Sequence, residues 1–260
     1  MDEQVDRLVE KVWDQYKDAP ASRRLLFAVS GIPGSGKTTL AAIVAERLNK
    51  KHAQESPGTS NSNPLAAFLP MDGYHLSRAQ LDAMPDPSNA HARRGAAFTF
   101  DGKSFLSLVK KLREPICPET QTLYAPSFDH AIKDPVDNDI AIAASVRIVI
   151  FEGNYCSLNK EPWNQAAELM DELWFVEVDF DVARKRLIHR HVEAGIAANE
   201  EEGGKRADEN DLVNGQEIVD HRMEVHEVIK SKDDAKWAPE KQGVGDGKDS
   251  GSQKEMAPLI

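Results

Sequence analysis

Short unbroken apolar runs alternate along the chain with longer segments whose apolar residues recur every three or four positions. The runs Leu25–Ser30, Ala67–Met71, Val146–Phe151, Leu173–Val178 and Val225–Ile229 read as strands, with Arg147-Ile-Val-Ile-Phe151 the most uniform. A strand covered on both faces has no polar side to show, so continuous apolar stretches fit a parallel sheet better than an exposed antiparallel one. The intervening segments Gly36–Lys50, Gly102–Arg113, Pro162–Met170, Asp181–Ala194 and Asp211–Arg222 carry the helical period. Strand and helix in alternation predict an α/β domain, a parallel sheet wrapped by helices.

Three stretches break the pattern. Gln54–Pro64 is rich in Ser, Asn, Gly and Pro and reads as a surface loop. Ala197–Asn210 is acidic and glycine-bearing and reads as a mobile interruption between two helices. Ser231–Ile260 has little to bury apart from Trp237, which is expected to dock before the chain becomes a disordered tail. At the other end, Val5, Leu8, Val9, Val12, Trp13 and Tyr16 lie on one face of an amphipathic helix. Its acids and lack of an apolar block fit neither a signal nor a transit peptide. The expected organisation is a helix over 1–20, one domain over 21–234, and a tail over 235–260.

Charge narrows the partners. A formal net charge of −11, from 32 basic and 43 acidic side chains, disfavours a general nucleic-acid or acidic-membrane surface. No apolar stretch reaches the length of a membrane span. The two cysteines, Cys117 and Cys156, match no zinc spacing and read as reduced thiols of a cytoplasmic protein.

The strongest chemical signal is Gly31-Ile32-Pro33-Gly34-Ser35-Gly36-Lys37-Thr38, followed by Thr39. It matches the G-x-x-x-x-G-K-[ST] phosphate-binding pattern at every fixed position, between a predicted strand and a predicted helix. Glycines let backbone N–H groups turn inward around phosphate oxygens, and the helix N-terminus adds partial positive charge. Lys37 is placed to reach the terminal phosphates, and the Thr38 hydroxyl to ligate Mg²⁺. Two acids end predicted strands on the edge where open α/β sheets bind ligands: Asp72 and Glu152. Phosphoryl transfer asks for one carboxylate in the magnesium shell and one to take the proton of the attacking hydroxyl.

Eight blocks then carry a family resemblance: Gly31–Thr39, Met71–Leu76 (MDGYHL), Arg93–Asp101, Tyr124–His130, Phe151–Tyr155 (FEGNY), Asp171–Val178, Arg184–Gly195 and Asn210–Asn214. The chain resembles the phosphoribulokinase/uridine kinase family of P-loop kinases. Within it, the likeness is to the branch with bacterial-type pantothenate kinase and fructose-transport-system-kinase-like proteins. The resemblance implies a three-layer α/β/α P-loop fold, with a five-stranded parallel sheet and a helical lid, that uses ATP and Mg²⁺. It implies Asp72 as general base, Glu152 as the acid that orders magnesium-bound water, and a lid helix bearing Arg184, Arg186 and Arg190. Asn210 would lie by the nucleotide or close the lid. Ala97 and Phe98 depart from the pattern, which has Pro and Glu there, so a carboxylate that bears on substrate preference is missing.

Among the remaining candidates, Arg186 and Arg190 are four apart and share a helix face, where arginines can meet charge as it spreads in the transition state. Arg93 and Arg94 suit an anionic or polyhydroxylated substrate. His75 either meets a substrate hydroxyl or orients the Asp72 loop. Tyr124 and Tyr155 are packing residues or substrate contacts. The reading is a small-molecule kinase acting on a hydroxyl of a nucleoside, sugar or pantothenate-like metabolite, with a homodimer as the default assembly. The competing reading is a nucleotide-dependent regulatory ATPase without an acceptor, since the same loop serves both.

Overall fold

The computed structural model describes residues 1–55, 64–232 and 237. In order these form α1 (Asp2–Asp18), β1 (Leu25–Gly31), α2 (Lys37–Glu55), β2 (Ala66–Pro70), α3 (Arg78–Asp82), α4 (Pro87–Ala92) and α5 (Gly102–Arg113). There follow β3 (Leu123–Asp129), β4 (Asp134–Ile142), β5 (Ile148–Glu152), α6 (Trp163–Ala167), β6 (Glu172–Glu177), α7 (Phe180–Glu193), α8 (Glu200–Arg206), α9 (Leu212–Asp220) and β7 (Glu227–Lys230).

Five strands form one parallel sheet in the order β2-β5-β1-β6-β7. Side chains alternate across it, as the strand period requires. Leu26, Ala28, Val149 and Phe151 enter one core with α5, α6 and α9, while Leu25, Phe27, Val29, Ile148 and Ile150 enter a second core with α1 and α2. The result is a three-layer sandwich. The N-terminal helix is part of it: Val5, Leu8, Val9, Val12 and Trp13 are buried in the second core. Arg7 and Lys11 pair with Glu227 of β7 at 2.9 and 2.7 Å, which ties α1 to the far sheet edge.

Several expectations need correction. Met71 is not in β2. The strand stops at Pro70, which lacks an N–H and is tolerated because β2 is an edge strand, and a single 3₁₀ turn over Met71–Tyr74 follows. The interruption expected over Ala197–Asn210 is mostly helix. Asn199 caps α8 through Glu202, three glutamates occupy its first turn, and Gly203 packs against Ile188 of α7. The next five residues, Ala207–Asp211, make a π-helical turn that runs into α9. The antiparallel hairpin β3–β4 is missing from the sequence reading altogether. Its second strand, DPVDNDIAI, carries three acids and is half exposed, so it shows no apolar run. The tail expected over 235–260 and most of the Gln54–Pro64 loop lie outside the described residues; Trp237 rests against Arg47 of α2.

Candidate active site

Strand register creates the site. Val29 of β1, Glu152 of β5 and Pro70 of β2 lie side by side, so the phosphate-type loop, Glu152 and the turn with Asp72 all leave the same sheet edge. The loop's backbone needs its glycines. Gly34 and Gly36 have φ of 80° and 87°, the left-handed region that costs other residues energy. A Cβ on Gly34 would also lie 2.8 Å from the Ala183 carbonyl oxygen of α7. Ile32 and Pro33 are buried beneath the loop. Ser35 is fully buried with a hydroxyl that has no partner among the described residues. Lys37, Thr38 and Thr39 open α2, where the first-turn N–H groups have no intrahelical acceptor. Thr38 is exposed at that turn and Thr39 is buried.

Lys37 is buried, its Nζ 3.9 Å from Glu152 Oε1 and 3.5 Å from the Ile32 carbonyl oxygen. Loss of water drives both charged groups toward their neutral forms. Burial lowers the Lys37 pKa against the pull of Glu152 and Asp72. Burial likewise pushes Glu152 up to about 7; Lys37 and Thr38 oppose that rise and the Asp72 charge adds to it. Asp72 is half buried, and its carboxylate has no hydrogen-bond or ion-pair partner among the described residues. Its turn is braced. His75 Nδ1 donates to the Asp72 carbonyl at 2.8 Å, and the ring packs on Phe100 and Phe128 with centroids 4.0 and 4.9 Å away. Burial lowers the His75 pKa, against the pull of the Asp72 charge. Gly73 touches β3 so closely that a Cβ would lie 2.1 Å from the Pro126 carbonyl oxygen.

The arginines divide by partner. Arg186 Nη1 donates to the Gly34 carbonyl at 3.1 Å and to Ser231 Oγ at 2.9 Å, which fastens α7 to the loop. Arg184 makes a two-pronged pair with Asp208, both contacts 2.7 Å. Arg190 is exposed and has no such partner among the described residues, yet its charge acts on both Lys37 and Glu152. Arg94 is spent structurally on Asp134 (3.0 Å) and on the Leu76 and Lys133 carbonyls. Arg93 Nε and Nη2 donate to Asn210 and Asn214 at 3.1 and 2.6 Å.

Some expected residues fall elsewhere. Asn210 is buried and its amide is engaged at both ends, by Arg93 and by the Arg94 carbonyl. The structure therefore sets it with these arginines rather than free to face a nucleotide base. Tyr155 has no exposed surface and its hydroxyl donates to the Gly95 carbonyl at 2.7 Å, whereas Tyr124 is 53% exposed on β3. A cavity of ≈ 540 Å³ opens beside the acid turn, bordered by Gly73, His75, Lys111 and Tyr124. Asn154, with a buried side-chain carbonyl oxygen that has no partner among the described residues, lies two positions past Glu152 and was given no role by sequence reasoning. Its place in FEGNY, directly after the strand-end acid, was the available signal. Cys156 is buried beside the same charges with its thiol pKa raised by burial, which makes it an inert packing residue.

Comparison with known proteins agrees with this geometry. No family profile matches the chain. The kinase-like protein notR' of Aspergillus versicolor is 54% identical over 159 residues, 61% of this chain and 92% of that protein. C227.14 of Schizosaccharomyces pombe, assigned as a uridine kinase, is 43% identical over 213 residues, 82% of this chain and 83% of its own. The solved structure of the Saccharomyces cerevisiae kinase YFH7 superposes with a TM-score of 0.76 at 25% identity, covering 88% of this chain and 99% of that one. A protein assigned as a fructose transport system kinase from Silicibacter superposes at 0.72 and 29% identity, over 86% and 98% of the two chains. Loop, strand-end acids and α7 arginines thus sit in a fold and a sequence shared with ATP-dependent kinases, and the chain belongs to the phosphoribulokinase/uridine kinase family of P-loop kinases.

Proposed function

We propose that this kinase transfers the γ-phosphoryl of ATP, with Mg²⁺, to a hydroxyl of a small metabolite. The observation that carries the proposal is the convergence of buried Lys37, buried Glu152 and unpartnered Asp72 on one sheet edge. A regulatory ATPase needs the first two, but has no use for a free carboxylate beyond them.

The residues fit a magnesium–nucleotide. The glycine-shaped loop, the Ser35 hydroxyl without a partner and the open N-terminus of α2 make an anion cradle. Among the described residues no cluster of three or more His, Cys, Asp and Glu side chains is grouped to hold an ion. That suits Mg²⁺, which keeps most of its waters and takes one or two protein ligands, here Thr38 and, through water, Glu152. Bound magnesium would offset phosphate charge as the phosphoryl group leaves. Lys37 would supply a fixed cation where that charge grows, its positive form restored by the phosphates themselves. Arg190, unspent elsewhere, would add a second. Asp72 would take the hydroxyl proton, with His75 holding its turn in place.

The test is Asp72→Asn, which keeps size and removes the proton acceptor. ATP–magnesium affinity measured by calorimetry should stay near the wild-type value. Phosphorylated product, followed by ADP release and mass spectrometry across a metabolite library, should fall about 10²- to 10⁴-fold. Loss of nucleotide binding would move Asp72 into the metal shell, and full activity would return the chain to the ATPase reading.

A further inference from the structure

Three ionisable side chains meet at the joint between α7 and the helical segment that follows it. His191, in the last turn of α7, is buried, with 2% of its surface exposed. Its Nδ1 lies 3.4 Å from the Gly203 carbonyl oxygen of α8, and its Nε2 lies 3.3 Å from Asp211 Oδ2 at the end of the π-helical turn. A neutral imidazole has a single N–H and can donate to only one of these two acceptors, whereas the charged ring donates to both. The shortfall is visible: Asp211 Oδ2 is buried and has no hydrogen-bond partner among the described residues. At the other end of the π-helical turn, the buried Nε of Arg206 also has no partner among them. An unserved acceptor and an unserved donor in one joint mark an arrangement that can tighten.

The charges around His191 oppose one another. Burial lowers its pKa below the usual 6.5, and the cations Arg190, beside it on α7, and Arg206, at the end of α8, add to that. The Asp211 carboxylate and the Gly203 carbonyl pull the other way, as does the C-terminal end of α7 itself. Arg190 also acts on Lys37 and Glu152, so its charge reaches the phosphate site. Phosphates drawn to Arg190 would cancel one of the two cations that keep a proton off His191.

We infer that His191 and Asp211 are positioning residues that form a proton-dependent clasp. When nucleotide phosphates meet Arg190, His191 takes up a proton, holds Asp211 and the Gly203 carbonyl together, and fixes the last turn of α7, with Arg190 on it, over the phosphoryl group. Neither residue needs to touch nucleotide or acceptor. The final step, the placing of Arg190 for transfer, rests on the kinase reading above.

The experiment titrates the full chain with ATP–magnesium by calorimetry near about pH 7 in two buffers of different ionisation enthalpy, which counts the protons taken up on binding. Lys37 can gain a proton there too, so the measure is the difference between wild type and variant. His191→Gln cannot be charged and should take up fewer protons, by as much as about one. Asp211 is less buried than His191, so Asp211→Asn is the variant less at risk in folding; it should lower uptake in the same way, and Asp211→Glu should restore it. With an acceptor from the metabolite library, Asp211→Asn should lower kcat about 10-fold near pH 6.5, a ratio to wild type that shrinks toward one as pH rises to about 9, with acceptor KM unchanged. A contact that only stabilises the fold would lower kcat by the same factor at every pH. Equal proton uptake in wild type and variants, or a loss of kcat that does not change with pH, would overturn the inference. Uptake is read without any acceptor, so failure to find a phosphorylated product would overturn the kinase reading alone.

Discussion

Adding one methyl group at Gly73 tests whether the β3–β4 hairpin positions Asp72, the proposed general base. Gly73 follows Asp72 in the 3₁₀ turn, and its φ is not in the left-handed region, so backbone strain is not at issue. Space is. An alanine Cβ would stand 2.1 Å from the Pro126 carbonyl oxygen and 2.5 Å from its carbon, both backbone atoms of β3, where ordinary contact begins at 3.4 Å. The shortfall is about 1.3 Å, and no flexible side chain can absorb it. Either the hairpin or the acid turn must shift by on the order of an ångström. Overpacking of this kind costs about 1–3 kcal/mol, and an ångström of misplacement at a reacting group costs on the order of 10²-fold in rate. Urea denaturation of Gly73→Ala should show the lost stability, and ADP release with acceptor should show a fall in kcat larger than any change in ATP affinity. Gly195→Ala is the control: its φ is 63° and nothing lies within 4 Å, so it should cost about 1 kcal/mol and leave kcat alone. Gly73→Ala with wild-type stability and turnover would refute the hairpin as a brace for Asp72.

Arg190→Ala should lower kcat by about 10-fold or more with ATP affinity nearly unchanged, because this arginine makes no ion pair or hydrogen bond with the described residues and is available to the transition state. Arg186→Ala should weaken ATP binding and loop stability as well, since it already holds the Gly34 carbonyl; nucleotide calorimetry beside steady-state rates separates the two. At the opposite sheet edge, Arg7 and Lys11 hold Glu227 down to about 2. The folded pKa is below the usual 4.5, so this carboxylate's contribution is complete above that pH and is lost as pH falls toward 2. With Arg7 half exposed the pair is screened, and Glu227→Gln should cost about 1 kcal/mol at pH 7 in urea titrations, a difference that shrinks as pH falls from about 4.5 toward 2.

What the sequence determined by itself is what local patterning encodes. The parallel strands read as apolar runs because both their faces are covered, and the phosphate loop was legible because its glycines, Lys37 and Thr38 are adjacent in the chain and need no distant partner. Strand-end position alone flagged Asp72 and Glu152 as a pair worth joining. What only the tertiary structure decided are features that require contacts across the chain. The register that sets Pro70, Glu152 and Val29 side by side brings the acids to one edge. The hairpin was invisible because its second strand is half exposed and acidic, stabilised through Asp134 by Arg78 and Arg94, which lie 56 and 40 positions away in the chain. The glycine-bearing helix α8 exists because Gly203 packs on Ile188, which no local propensity records. Arg93 and Arg94 are the same residue type in neighbouring positions. One is neutralised by Asp134 and the other is held by Asn210 and Asn214, a distinction that depends on which distant side chains the fold delivers to each, and so belongs to the tertiary structure alone.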